Sequence, residues 1–317
     1  MAPPLKERCR DAVGIDANDA ERTPGGSVWL ATRIGVLDGR QPMPETDKVF
    51  TGSIPENYDR YLVPLIFESF AQDIAQRAAA LSPSAVLETA AGSGVVTRAL
   101  TPRLSSDASY VVTDLNQPML DYAAARQVAD GRISWRKADA QALPFEDAAF
   151  DLVCCQFGVM FFPDRQSGYR EAKRVLKPGG CFLFSVWDRI DENVFANDVT
   201  NALAEVFPGD PPRFLARTPH GYYDTALIRS DLEKAGFSNV VIDTRADQSR
   251  ASSPRHPAIA YCQGTPLRNE IEARDAAKLE TATDYAALKI ANRHGSGEVA
   301  AKIQAHVIVA IAGRTMS

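Results

Sequence analysis

The sequence predicts an α/β fold, with seven strands in an open, mainly parallel sheet and helices on both faces. Three observations carry that prediction. Short runs rich in Val, Ile, Leu and Phe alternate with amphipathic stretches at the rhythm of βαβ units. The first of these runs, Ala85–Glu88, opens into small residues, Thr89-Ala-Ala-Gly-Ser-Gly94, ahead of a helix beginning near Val95. Acids stand at or just past the ends of successive runs, at Glu88, Asp114 and Asp139, the edge at which open α/β sheets bind ligands.

Taken in order, residues 1–47 mix Pro, Gly and charge without a sustained period and read as a weakly ordered extension. Leu62–Leu81 has helical spacing at Leu65, Ile66, Phe70, Ile74 and Ala78, and Pro83 closes it. The strand Ala85–Glu88 and its glycine turn follow. Ser109–Asp114 is a second strand, Gln117–Val128 a helix, Ile133–Lys137 a third strand and Phe150–Cys155 a fourth. Ser167–Leu176 reads as a helix stopped by Lys177-Pro-Gly-Gly180, and Cys181–Trp187 as a fifth strand. Beyond it come a helix at Val194–Phe207, a loop at Pro208–Tyr223, a helix at Thr225–Ala235 and a sixth strand at Asn239–Thr244. Residues 256–303 read as mostly helical, firmest over Asn269–Leu288, and Ile303–Ala312 as the last strand, so the sheet closes late around an insertion.

Composition removes several classes. A hydrophobic share of 45% with 24% charge is that of a globular protein, and the net charge of −5 argues against a nucleic-acid footprint. No apolar run reaches the roughly 18 residues that span a bilayer. The N-terminus lacks the charged-then-apolar pattern of a signal peptide, which makes the cytoplasm the expected location. Five cysteines, an odd number with Cys154 and Cys155 adjacent, argue against a disulfide framework and for buried free thiols. Without a Cys-x-x-Cys, and with His220, His256, His294 and His306 scattered, no metal site is expected.

Four features fall at the C-terminal ends of successive strands. The glycine turn brings bare backbone N–H groups near a ligand, because Gly92 and Gly94 have no Cβ. Asp114 suits a ribose diol, or is a helix N-cap. Asp139, with Ala140 in Lys137-Ala-Asp-Ala-Gln-Ala-Leu-Pro-Phe145, suits an exocyclic amine, or is a turn former. The segment Cys155–Phe162 offers backbone groups and an aromatic wall.

On these residues the sequence resembles the class I S-adenosylmethionine-dependent methyltransferases, and within them the group containing the ubiquinone/menaquinone C-methyltransferases. The carrying motifs are Val86–Gly94, Thr113–Leu120, Asp139–Phe145, Phe150–Val153 and Arg174–Gly180, and the likeness covers residues 50–190. It implies a Rossmann-like sheet whose last strand is antiparallel, with a methyltransferase domain over 48–317. Insertions over 188–235 and 254–303 would then form a lid that selects the acceptor. It also implies S-adenosylmethionine as cofactor and a small-molecule acceptor. Glu88 and the Ala90–Gly92 backbone would hold the methionine and ribose portion, with Asp114 on the ribose hydroxyls. Leu115 and Met119 would flank the adenine, Asp139 and Ala140 would meet its amino edge, and Gln156 would line the methionine end. Tyr58 and Tyr61 would cover the cofactor or pack in the core. The family pattern has glycine where this chain has Ala90, and the added methyl group leads one to expect a turn with negative φ there.

For the acceptor, the candidates are Phe157, Phe161, Tyr222 and His220. His220 is the candidate base or acceptor contact, or a plain surface histidine. Gln263-Gly-Thr-Pro-Leu267 reads first as a helix start and second as a substrate contact. Competing readings are a non-catalytic cofactor-binding module, supported by Ala90 alone, and a nicotinamide-dependent oxidoreductase. The latter gains Tyr169-x-x-x-Lys173 but lacks the dehydrogenase glycine spacing. A nucleic-acid methyltransferase lacks its Asn/Asp-Pro-Pro-Tyr/Phe motif, Gln156-Phe-Gly-Val standing in that place.

Overall fold

The computed structural model describes Pro44, Asp47 and residues 54–313. Apart from Pro44 and Asp47, the expected N-terminal extension lies outside the described residues, as does Cys9. Seven strands form one sheet: β1 (Ala85–Glu88), β2 (Ser109–Asp114), β3 (Ile133–Lys137), β4 (Phe150–Gln156), β5 (Leu176–Trp187), β6 (Phe237–Ala251) and β7 (Val299–Ala312), in the order β3-β2-β1-β4-β5-β7-β6. β1 to β5 are parallel, and β7 runs antiparallel to both β5 and β6. Strand order reverses at β1, which has β2 on one side and β4 on the other. That reversal opens a crevice above the C-terminal strand ends.

The central strands bury both faces, so their sequences read as continuous apolar runs. Leu87, Val153, Phe182 and Phe184 pack into one core layer, while Val86, Leu152, Cys154 and Leu183 pack into the other. The four described cysteines, Cys154, Cys155, Cys181 and Cys262, are buried and free, as expected. No helix among the described residues is long and apolar enough to cross a membrane.

Several boundaries differ from expectation. The first helical stretch starts earlier: α1 (Ile54–Asn57) runs into a π-helical segment, Tyr58–Phe67, and then into α2 (Glu68–Ala80). Pro64 lies inside the π-helical turns, whose wider winding accommodates a residue with no N–H to give. After α3 (Val95–Leu100), α4 (Gln117–Arg126) ends two residues short of Val128. α5 (Arg165–Val175) starts before Ser167 because the Asp164 carboxylate caps it, accepting from Ser167 N at 3.1 Å. Lys177-Pro-Gly-Gly180 belongs to β5 as an irregularity. Phe150 faces Leu176 while Leu152 faces Cys181, so the strand absorbs extra residues there.

β6 is far longer than Asn239–Thr244. Its second half alternates exposed polar and charged residues on an edge strand, a pattern that resembles a loop until β7 pairs with it. α6 (Val194–Val206) precedes a loop holding a short helix, α7 (Phe214–Arg217), and α8 (Thr225–Lys234) follows. Between β6 and β7 lie α9 (Arg255–Gln263), α10 (Leu267–Asp275) and α11 (Leu279–His294). The stretch Asn269–Leu288 is therefore two helices broken at Ala276–Lys278.

Asp151 fixes the entry to β1. Its Oδ2 accepts from Ser84 N and Ala85 N at 3.0 and 2.9 Å, while Oδ1 receives Lys177 Nζ at 2.8 Å. Replacing it strands two backbone donors and a cation. Asp151→Ala is expected to lower stability by about 2 kcal/mol, read from urea unfolding curves with an unchanged slope.

Candidate functional site

The turn after β1 is built from left-handed residues. Ala90, Gly92 and Gly94 have φ of 52°, 58° and 79°. The expectation of negative φ at Ala90 is therefore wrong. Thr89 N donates to Cys154 O at 2.9 Å and Ala91 N to Thr113 O at 3.0 Å, so two neighbouring strands hold the residue between them in that conformation. The Ala90 methyl group fits because its neighbour is Gly158: a Cβ there would stand 2.5 Å from Ala90 Cβ. Phe157, next to Gly158, is itself left-handed at φ 51°. Gly94 also needs to be bare, since a Cβ would come within 2.9 Å of Ala123 Cβ.

Asp114, at the end of β2, holds the turn from the other side. Its Oδ2 accepts from Gly92 N at 2.8 Å and its Oδ1 from Asn116 N at 2.7 Å. Burial raises its carboxyl above the ordinary value, opposed by those N–H donors. Around it opens a cleft of about 890 Å³, lined by Tyr58, Ala90, Gly92, Asp114, Leu115, Met119, Asp139, Ala140, Gln156, Phe157 and Phe161 among others. Nine of the ten sequence-predicted cofactor residues meet there. Asp139 also forms a turn, accepting from Gln141 N at 2.9 Å, while it lines the cleft. Gln156 Nε2 donates to Phe67 O at 3.2 Å, leaving the buried Oε1 without a partner.

The tenth residue, Glu88, does not line the cleft. Its carboxylate turns under the strand, where Thr97 Oγ1 donates at 2.7 Å and the Tyr110 hydroxyl donates as well. Burial pushes its carboxyl up to about 7. Glu88 thus supports the turn from below and offers no atom to a ligand above it.

Tyr58 closes one side of the cleft and stacks on Phe67 with ring centroids 5.2 Å apart. The next residue anchors it. Asp59 is buried against Arg126 at 3.0 Å and Arg98 at 3.6 Å, from α4 and α3. Tyr61 points elsewhere, edge-on to His256 at 5.1 Å, and takes the core-packing role.

A second, smaller cavity adjoins the first and shares Tyr58, Phe157 and Phe161 with it. Its other walls include Phe67, Trp187, Phe214, His220, Tyr261, Thr265 and Pro266. Both stretches expected as insertions contribute. Thr265 and Pro266, read first as a helix start, indeed precede α10 but also face this space. Phe67, Trp187, Phe214 and Tyr261 were not singled out; as apolar positions of helices and a strand, they carried no mark in sequence beyond ordinary core.

His220 is 6% exposed, so the surface reading fails. Its Nδ1 lies 2.8 Å from Asp188 O, and burial pushes the imidazole down to about 4. Tyr222 does not reach the cavity. Its hydroxyl meets Tyr169 Oη at 3.1 Å and donates to Asp231 Oδ2 at 2.9 Å, which makes it a tie between α5 and α8 rather than a substrate contact. The same bond removes Tyr169 from catalytic use, since it is wholly buried beneath α5.

A methyltransferase-domain family model matches residues 87–184. An uncharacterized protein of Mycobacterium tuberculosis is 39% identical over 112 residues, which is 35% of this chain and 40% of that protein. The chain thus spans less than half the length of that relative. A ubiquinone/menaquinone biosynthesis C-methyltransferase of Cupriavidus necator is 32% identical over 164 residues, 49% of this chain and 68% of that one. Among solved structures, a putative methyltransferase from Bacillus halodurans is 19% identical with a TM-score of 0.49, covering 77% of this chain and 99% of its own.

Two outcomes follow from the turn. Ala90→Gly removes a left-handed alanine that costs about 1–2 kcal/mol, partly offset by the freer unfolded chain, so unfolding should show a gain of roughly 0.5–1 kcal/mol. Glu88→Gln keeps an oxygen for Thr97 and Tyr110 but cannot ionise. The folded wild-type carboxyl holds its proton more tightly than the unfolded one. Wild type should therefore lose stability relative to the variant as the pH rises from 4.5 to about 7, by about 3 kcal/mol in total. Denaturation across that pH range, giving parallel curves for the two proteins, would refute the buried-acid assignment.

Proposed function

The chain belongs to the S-adenosylmethionine-dependent methyltransferases that include the ubiquinone/menaquinone C-methyltransferases, and from that membership we propose that it transfers a methyl group, in line, to a small-molecule acceptor. The carrying observation is the cleft at the strand-order reversal, where a bare glycine turn, a buried carboxylate and an unpartnered amide oxygen converge.

These residues fit the methyl donor. Asp114 has acceptor capacity beyond its two backbone donors and would take ribose hydroxyls. Leu115 and Met119 would sandwich the adenine, with Asp139 and Ala140 at its amino edge. The Gln156 Oε1 without a partner would accept from the methionine ammonium. The backbone from Ala90 to Gly92 would run beneath the chain that joins them. Tyr58 would lie over the bound donor. When bound, the donor supplies an activated methyl group on a sulfonium, so the protein's own work is alignment and exclusion of water. Good alignment is worth up to about 7–11 kcal/mol. Phe157, Phe161 and Tyr58 border both the cleft and the second cavity, so an acceptor held in that cavity would adjoin the methyl end of the donor. The segments 188–235 and 254–303 close over the cavity and would select the acceptor.

Isothermal titration with S-adenosylhomocysteine tests the reading. Wild type and Ala90→Gly should bind, the variant at least as tightly. Asp114→Ala should bind about ten- to a hundredfold more weakly, as expected for loss of a charge-assisted pair of hydrogen bonds. Binding of NAD in place of S-adenosylhomocysteine would overturn it.

A further inference from the structure

The second cavity has a polar inventory narrow enough to name its ligand chemistry. Its walls are aromatic and aliphatic, and no Asp, Glu, Lys or Arg lines it. A charged acceptor would be stranded there without a counter-charge, at a cost far above that of a neutral one. Thr265 is spent: its Oγ1 donates to Tyr261 O at 2.7 Å and accepts from Leu267 N at 3.2 Å. Burial raises the Tyr58 and Tyr261 phenols, so both stay protonated.

His220 is different. A backbone carbonyl only accepts, so the 2.8 Å contact to Asp188 O places the ring proton on Nδ1. Nε2 then carries a lone pair, and it has no hydrogen-bond partner among the described residues. The carbonyl that sets this tautomer is itself fixed. It accepts from Asn193 Nδ2 at 3.2 Å, and the Asp188 carboxylate takes Gln304 Nε2 at 2.6 Å, Arg189 N at 2.7 Å and His306 Nε2 at 3.3 Å. The loop is tied down on its other side, where Thr218 and Arg217 both bond the buried Asp47. His220 is therefore held as a neutral acceptor in the wall of an apolar space. The titratable groups around it are Asp188 behind the ring and the two protonated phenols across the cavity.

We propose that the acceptor is an uncharged, largely apolar molecule with one weakly acidic hydroxyl, a phenol or an enol. On this assignment His220 Nε2 accepts that hydroxyl's proton as its oxygen is methylated. The inference rests on the methyltransferase reading. The new bond joins acceptor oxygen to the methyl carbon. The carbon–sulfur bond breaks with its electron pair left on sulfur, and the O–H proton moves to Nε2. One positive charge is present before and after, on sulfur first and on the imidazole last, so the step creates no new charge. Because the imidazole is a weak base here, more acidic hydroxyls should react faster.

The test uses the full chain, 2-naphthol, its charged counterpart 6-hydroxy-2-naphthoate, and S-adenosylmethionine carrying a 13C methyl group. His220→Asn keeps a donor for Asp188 O but removes the base. Expected are an Nδ1-protonated His220 by 15N NMR at pH 7 and an Nε2 shift on adding 2-naphthol. Binding of 6-hydroxy-2-naphthoate should be at least tenfold weaker, and an O–13CH3 product should form. His220→Asn should lose about 10²-fold or more of the rate while binding S-adenosylhomocysteine within about twofold of wild type. An Nε2-protonated tautomer, equal binding of the two naphthols, no binding of either, a ring-carbon product or an unchanged rate in His220→Asn would each overturn the inference. Failure of wild type to bind S-adenosylhomocysteine would instead remove the methyltransferase reading on which it stands.

Discussion

The site depends on one backbone constraint, the left-handed turn from Ala90 to Gly94 clamped between the ends of β2 and β4. Left-handed backbone is unfavourable for alanine and persists only when the surroundings over-determine it. Here they do. Cys154 O takes the N–H before Ala90, Thr113 O takes the N–H after it, and the Asp114 carboxylate takes the one after that. Each acceptor sits at the end of a strand adjacent to β1, so the turn can form only once the parallel sheet has assembled. Glu88 completes the arrangement from below through Thr97 of α3 and Tyr110 of β2.

The same constraint shapes the second cavity. Ala90 brings its methyl group against Gly158, and the chain there can approach only because Gly158 has no side chain. Phe157 is forced left-handed, with its N–H donating to Ser185 O at 3.1 Å, and its ring lies flat on Trp187 at 3.8 Å. Such a stack adds about 0.5–1.5 kcal/mol beyond its burial and fixes the shared wall. Cleft and cavity are thus consequences of one close approach of β1 to β4.

Much of this was legible in the sequence. β1, β2 and β3 match their expected bounds because short apolar runs between turn residues leave little freedom. Nine of the ten expected positions line one cleft because most of them follow strand ends, which share one edge in a parallel sheet, with Tyr58 and Met119 joining from helical segments. The failures have physical causes. Glu88 stands opposite Val112, two residues before Asp114, so its carboxylate lies below the strand edge with Thr97 and Tyr110 while Asp114 reaches the turn. Tyr222 lies two residues from His220, but proximity in a loop says nothing about where a side chain points. The φ at Ala90 departs from the local steric rule because three tertiary hydrogen bonds decide it. β6 runs beyond its expected bounds because an edge strand with one wet face lacks the apolar run that marks its neighbours.

The antiparallel closure of the sheet carries more than stability. β7 lies between β5 and β6, and from it Gln304 and His306 reach the Asp188 carboxylate just beyond the end of β5. β6 contributes Thr244, whose hydroxyl meets His306 Nδ1 at 2.9 Å. Asp188 in turn offers its carbonyl to His220. The histidine in the wall of the second cavity is therefore oriented by a chain of contacts running from the two strands added last, through a buried acid, to a loop 32 residues further along the chain than that acid. Parallel strands end at the cleft edge and cannot supply such a contact from outside the sheet's core. A strand returning in the opposite direction runs past that edge, so its middle residues Gln304 and His306 lie where the loop histidine needs support. The closing strands thus govern the cavity's chemistry as directly as the glycine turn governs the cleft.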